Sequence, residues 1–184
     1  MTWRTALWSA AVACIILSVA APAAAAEQQE SYTFTLGLLG GVGGALDADP
    51  DPGLGERSWM IEAGMVTAPR TLVVVRAGRL SIDGDFERFS SADLEYLNVA
   101  GEYRFAQPTY DYGMYLGLGY YRLTGDRFGG GDDRESDVGL VLGFTGDFDV
   151  TRYLSVVGEV SAHYAFLDDA KVFGMANVGL AVHF

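Results

Sequence analysis

Glu159, Ser161 and His163 stand at every second position of one stretch, so an extended backbone would carry all three side chains on one face. Serine, histidine and a carboxylate are the residue types of a hydrolase triad, in which the imidazole takes the serine proton and the acid orients the ring. The same residues are also ordinary polar lining for the inside of a closed sheet. That second reading is kept, with no catalysis expected and His163 read as a polar interior residue. A larger set of charges, Glu62, Arg76, Glu102, Arg104, Asp147 and Glu159, recurs opposite apolar faces in separate stretches. Enclosed, these charges must pair, because a buried lone ion is costly. Asp47, Asp49 and Asp51 have the spacing that opens a calcium loop. However, Pro52 stands where glycine is wanted and Ser58 where glutamate is wanted, so solvated acidic loops are the better account. GGVGG at 40–44 precedes neither a helix nor a lysine and is no nucleotide loop. His183 reads as a rim residue rather than a metal ligand, and no metal or cofactor is expected.

The elements that must position these residues are strands. Tyr110, Tyr112, Met114, Leu116, Leu118 and Tyr120 alternate with Asp111, Gly113, Tyr115, Gly117 and Gly119. Val138, Leu140, Leu142 and Phe144 alternate with Asp137, Gly139, Val141 and Gly143 in the same way. Period two with one apolar face is a strand with two environments. Eight such stretches are read, near 31–45, 58–68, 70–81, 93–105, 109–123, 136–147, 151–165 and 173–184. Each has about the ten residues that cross a bilayer at a tilt. In TLVVVRAGRL both faces are apolar, and Arg76 is assigned inward. Connections alternate long (46–57, 82–92, 124–135, 166–172) and short (Pro69, 106–108, 147–150). Aromatics gather at the strand ends. Tyr32, Tyr103, Phe105, Tyr110, Tyr112, Phe148 and Phe184 collect at one rim, and Trp59, Tyr120 and Tyr164 at the other. Two aromatic girdles are what the two interfaces of a bilayer select.

The first 26 residues, MTWRTALWSAAVACIILSVAAPAAAA, have the order of a secretory signal peptide: one arginine, an apolar run, then small residues. Cleavage is expected after Ala26, leaving residues 27–184 as one barrel domain. Cys14, the only cysteine, would leave with the leader. The remaining chain would hold 11 basic and 24 acidic residues, a net charge of −13. Such acidity argues against nucleic-acid binding.

The ending NVGLAVHF resembles the terminal signature of bacterial outer-membrane barrels, a polar residue, glycine, a hydrophobic residue and a final phenylalanine, met here by Asn177, Gly179, Val182 and Phe184. With LNVAGEYRF at 97–105 and YLGLGYYRL at 115–123, the chain resembles the eight-stranded OmpA/OmpX-like barrel group. The resemblance implies an all-β, antiparallel, up-and-down transmembrane barrel in an outer membrane, with both termini periplasmic. It also implies that the assembly machinery reads the last strand. Lipid A deacylases resemble this fold and use a His-x-Ser pair. Here the order is reversed and Ala165 follows His163 two positions on, which speaks against that activity. The expected role is structural or surface-interacting, in adhesion or envelope stability. The alternatives are a small low-conductance pore and, third, a lipid A hydrolase. Expected partners are outer-membrane lipids and lipopolysaccharide, and the expected state is a monomer.

Overall fold

The computed structural model describes residues 33–47, 55–86, 89–106, 110–127, 132–168 and 171–184. The expected leader, Tyr32, Asp49 and Asp51 lie outside the described residues. Eight strands follow one another: β1 (Phe34–Ala45), β2 (Glu56–Ala68), β3 (Thr71–Phe86), β4 (Phe89–Ala106), β5 (Tyr110–Arg127), β6 (Asp132–Thr151), β7 (Leu154–Ala165) and β8 (Val172–His183). Each pairs antiparallel with its neighbour in sequence, and β8 returns to β1 to close the barrel. The closing seam runs from Thr35 opposite His183 to Ala45 opposite Phe173. At its end the Phe34 amide donates to the Phe184 carbonyl at 2.8 Å and the Phe184 amide to the Phe34 carbonyl at 3.0 Å. The amide and carbonyl of Phe184 are therefore both paired. Closure leaves no sheet edge along the seam, the condition a bilayer imposes on any spanning sheet.

Alternation sorts the side chains as the sequence requires. Leu38, Leu116, Leu118 and Val178 point outward and are 60–69 % exposed, part of a continuous apolar belt. So large an exposed apolar surface is stable only against lipid. Arg76, read inward from an ambiguous stretch, is buried among the inward residues of β3.

Three expectations about the connections need correction. The long connection expected at 82–92 is almost wholly strand, since β3 runs to Phe86 and β4 starts at Phe89. The one expected at 124–135 shrinks likewise, because β5 runs to Arg127 and β6 begins at Asp132. Their Asp and Gly content reads as loop, but pairing across β3–β4, β4–β5 and β5–β6 carries the ladder on through Phe86–Phe89 and Asp126–Asp132. In addition, the turn expected at 147–150 lies later, since β6 continues to Thr151. There the Thr151 hydroxyl accepts from the Tyr153 and Leu154 amides and supplies the turn. At Pro69–Arg70 the reversal is tight enough to put Arg70 at φ 66°.

The strands are unequal as a result. β1, β2, β7 and β8 have 12 or 13 residues, and β3 to β6 have 16 to 20. The β2–β3 register stops at Ser58–Leu80 and the β6–β7 register at Gly139–Ala165. Beyond those points β3 to β6 rise as a four-stranded sheet, about six residues or roughly 20 Å past their neighbours. This far end is opposite the end that holds Phe34 and Phe184.

Candidate functional site in the barrel lumen

The barrel interior is divided along its length. In the far half it is mostly apolar: Met60, Leu80, Leu94, Tyr121, Leu123 and Phe173 are all fully buried and belong to one cluster, with the hydrogen-bonded pairs Ser58–Asn177 and Tyr121–His163 set against it. The middle and the terminal half hold the charges. All six expected interior charges are brought together there, and each is at most 8 % exposed.

Arg76 is the hub. Its Nη2 donates to Glu102 Oε2 at 2.8 Å, and its Nε lies 2.8 Å from Glu159 Oε2 and 3.3 Å from Glu62 Oε2. Glu62 is its direct partner on β2. Glu159 sits on β7 across the lumen, and only closure of the sheet puts it within reach. The guanidinium also lies over the Tyr115 ring, 4.0 Å from its centre. Arg104 makes the second node, with Nε 2.9 Å from Glu102 Oε1 and Nη1 3.1 Å from Asp147 Oδ2. Thr145 adds a hydroxyl contact to Glu102 Oε1 at 3.4 Å. Four carboxylates thus face two guanidinium groups, and each arginine is shared between acids. Shared, multiply bonded charges of this kind offset a desolvation cost that single pairs would not.

Sequence reasoning missed the tyrosines. Tyr96, Tyr115 and Tyr121 point inward and fill the lumen. A Cβ on Gly119 would lie 2.8 Å from the Tyr121 ring, and one on Gly143 would collide with the Tyr115 ring. The inward glycines of β5 and β6 are thus the floor on which these rings lie. The signal was present in the inward set of β5, where Gly113, Gly117 and Gly119 flank Tyr115 and Tyr121 at steps of two.

The Ser161–His163 pair does form. His163 Nε2 is 3.0 Å from Ser161 Oγ, and His163 Nδ1 is 3.0 Å from the Tyr121 hydroxyl. Glu159 is engaged by Arg76 instead, and Tyr121 holds the place a triad acid would take. Ser161 and His163 are 4 % and 2 % exposed and face the lumen beside the apolar cluster, with His163 against the Tyr96 and Tyr121 rings. A lipid acyl chain would approach from the opposite, outer face. His183, read as a rim residue, is buried against Ser155 Oγ at 2.7 Å and lies 3.8 Å from Asp147 Oδ2. Asp147, Asp149 and His183 bring donor atoms within 4.8 Å of one another, but Arg104 already sits on Asp147.

The rim aromatics face outward. Tyr103, Tyr112, Phe148 and Phe184 are 43–63 % exposed near the terminal end, and Trp59, Tyr120 and Tyr164 are 42–51 % exposed toward the far end. Phe105 stacks on Tyr112 at 5.0 Å, Tyr110 lies 6.4 Å from Tyr112, and Phe34 stacks on Phe184 at 6.2 Å. In β8, Val182 points outward into the belt with Phe184, while Asn177 faces the lumen and accepts from Ser58 Oγ at 2.6 Å. Gly179 packs against the β1 backbone at Leu38 and Leu39, leaving no room for a side chain.

A scan of family models finds no match, and neither does a search of curated proteins. Solved structures do match. Neisserial surface protein A (NspA) superposes with a TM-score of 0.70 at 17% identity, over 82% of this chain and 97% of that one. A major outer membrane protein from Thermus thermophilus gives 0.63 at 13% identity, over 84% and 100%. Ail, the attachment invasion locus protein of Yersinia pestis, gives 0.55 at 18% identity, over 83% and 97%. The chain therefore has the fold of the eight-stranded outer-membrane β-barrels, the architecture of the OmpA/OmpX-like group that its alternation and its ending resemble.

Proposed function

We propose that this protein is an integral outer-membrane barrel whose role is structural and surface-interacting, neither catalytic nor conductive. The observation that carries this reading is the apolar far half of the lumen. An ion crossing that half would exchange its hydration for a packed wall of Met60, Leu80, Leu94, Leu123 and Phe173, whose few polar neighbours, Ser58 with Asn177 and Tyr121 with His163, already bond one another, at a cost of many kcal/mol. The charge cluster below is then a core that holds the barrel wall together. The role in contact is assigned to the four-stranded extension of β3 to β6, the part that stands beyond its neighbours. Ail, one of the proteins with this fold, is named for attachment and invasion, which supports a contact role. In this reading both termini are periplasmic and the extension faces outward. Asn177, Gly179, Val182 and Phe184 are read by the assembly machinery before the barrel closes. The folded unit is a monomer.

Purified protein in planar bilayers tests the closed lumen. The expected trace is flat, with no unitary steps under applied voltage. Reproducible single-channel openings would reject the reading in favour of a small pore. The contact role is tested by display on cells, comparing attachment of the whole chain with a variant whose β3–β4 hairpin is shortened. Equal attachment by both would remove the extension from the proposal.

A further inference from the structure

On three adjacent strands, β3 to β5, the outer wall changes from apolar to charged in a single two-residue step. The last apolar row is Ile61, Ala77, Leu97, Tyr120 and Val138, aligned across β2 to β6. The next row toward the far end is Trp59, Arg79, Glu95, Arg122 and Ser136. One row further, Ser81, Asp93, Thr124 and Arg134 align, and Arg57 lies two residues beyond Trp59 on β2. Arg57, Arg79, Arg122 and Arg134 against Asp93 and Glu95 leave a net +2 in these two rows. The chain as a whole carries −12, so this basic patch runs against its overall charge.

The guanidinium groups are accessible and oriented. Arg57 and Arg134 are exposed, and the Arg79 and Arg122 side chains are 42 % and 40 % exposed. Arg79 donates through Nε to Asp93 Oδ1 at 2.8 Å and through Nη2 to Asp93 Oδ2. Arg122 donates through Nε to Glu95 Oε2 at 2.8 Å and through Nη2 to the same oxygen. The hydrogen bond from Arg79 holds the Asp93 carboxyl below its ordinary range, with burial opposing, so that pair stays ionised. A guanidinium has five N–H donors, and these contacts engage only its Nε and Nη2 nitrogens, so donors remain for a second oxyanion.

The arginines fall into two diagonal pairs, Arg57 with Arg79 on β2–β3 and Arg122 with Arg134 on β5–β6. Arg79 and Arg122 are two strand spacings apart, roughly 10 Å. Placed where the belt ends, they meet the headgroups of the lipids whose acyl chains cover that belt. We propose that this collar binds a lipid headgroup carrying two phosphates held apart by a rigid spacer, a bis-phosphorylated glycolipid, with one phosphate on each arginine pair. Tyr120 lies one row beneath it and Trp59 stands beside Arg79 in its lower row, where an amphipathic ring suits the boundary between sugar and acyl chain. A headgroup with one phosphate satisfies one pair only. The inference rests on reading the far end as the outward one but not on whether the lumen conducts, so conductance and lipid binding fail separately.

The test is native mass spectrometry of the refolded full chain in detergent with bis-phosphorylated lipid A, monophosphoryl lipid A or phosphatidylglycerol. The wild type should prefer the bis-phosphorylated lipid over each of the others at least fivefold. Each arginine neutralised should cost about fivefold in binding, so Arg57→Gln with Arg134→Gln should lose roughly 25-fold. Arg152→Gln, a change at the terminal end, should bind as the wild type does. Heat-modifiable migration confirms that every variant is folded. Undiminished binding by the double variant, an equal loss in Arg152→Gln, or equal binding of phosphatidylglycerol by the wild type would each overturn the proposal.

Discussion

Arg76→Ala removes the group on which the interior charges converge. Three carboxylates lose a contact, but unequally. Glu102 keeps Arg104 Nε at 2.9 Å and the Thr145 hydroxyl at 3.4 Å. Glu62 and Glu159, each 4 % exposed, lose the guanidinium that faces them at 3.3 and 2.8 Å. Breaking one buried pair costs about 3–5 kcal/mol, because a charge is left without a partner. Two such acids, and loss of the packing on Tyr115, place the expected cost at the top of that range, about 5 kcal/mol. With a urea slope of about 2 kcal/mol/M, the unfolding midpoint in detergent should fall by roughly 2.5 M. The diagnostic variant is Arg76→Ala combined with Glu62→Gln and Glu159→Gln. It keeps the cavity and removes the orphaned charges, so it should recover more than half of the loss. An unchanged midpoint in Arg76→Ala would refute the inward hub. A loss that the glutamines leave untouched would mean that Arg76 acts through volume and not through charge.

Further outcomes follow from other parts of the wall. Gly143→Val should destabilise by about 1–3 kcal/mol, because its side chain meets the Tyr115 ring over which Arg76 lies, while outward Gly101→Ala, with open space at its Cβ, should be near neutral in the same urea titration. Phe184, 63 % exposed, should contribute about 1 kcal/mol once the barrel is folded, so Phe184→Ser should refold in detergent yet insert poorly in cells, whereas Val182→Ala should insert normally; equal outer-membrane fractions for Phe184→Ser and wild type would refute an address in the ending. No fatty acid should be released from lipid A by the wild type; release that Ser161→Ala abolishes would restore the hydrolase reading. Mass spectrometry of membrane-extracted protein should find a chain starting at Glu27, and one starting at Met1 would reject the leader.

Period-two alternation is a local property, and it was enough to show eight strands, their outward sets and the closing role of a final amphipathic strand. Leu116, Leu118, Leu140 and Leu142 face lipid because their neighbours in sequence cannot, and no distant contact is needed to decide it. The inward position of Arg76 was legible for a weaker reason, since both faces of its stretch are apolar and only the cost of a charge in lipid chooses between them. Its partners were legible only in part. Glu62 follows from neighbouring strands, but Glu159 is reached across the lumen, a contact that exists because eight strands close at a radius small enough for side chains to meet. The apolar plug and its tyrosines depend on the same radius, since a wider ring with these inward residues would hold water. The length of β3 to β6 was illegible for the opposite reason: Asp and Gly discourage a strand locally, and only pairing with a strand already formed alongside carries the ladder through them.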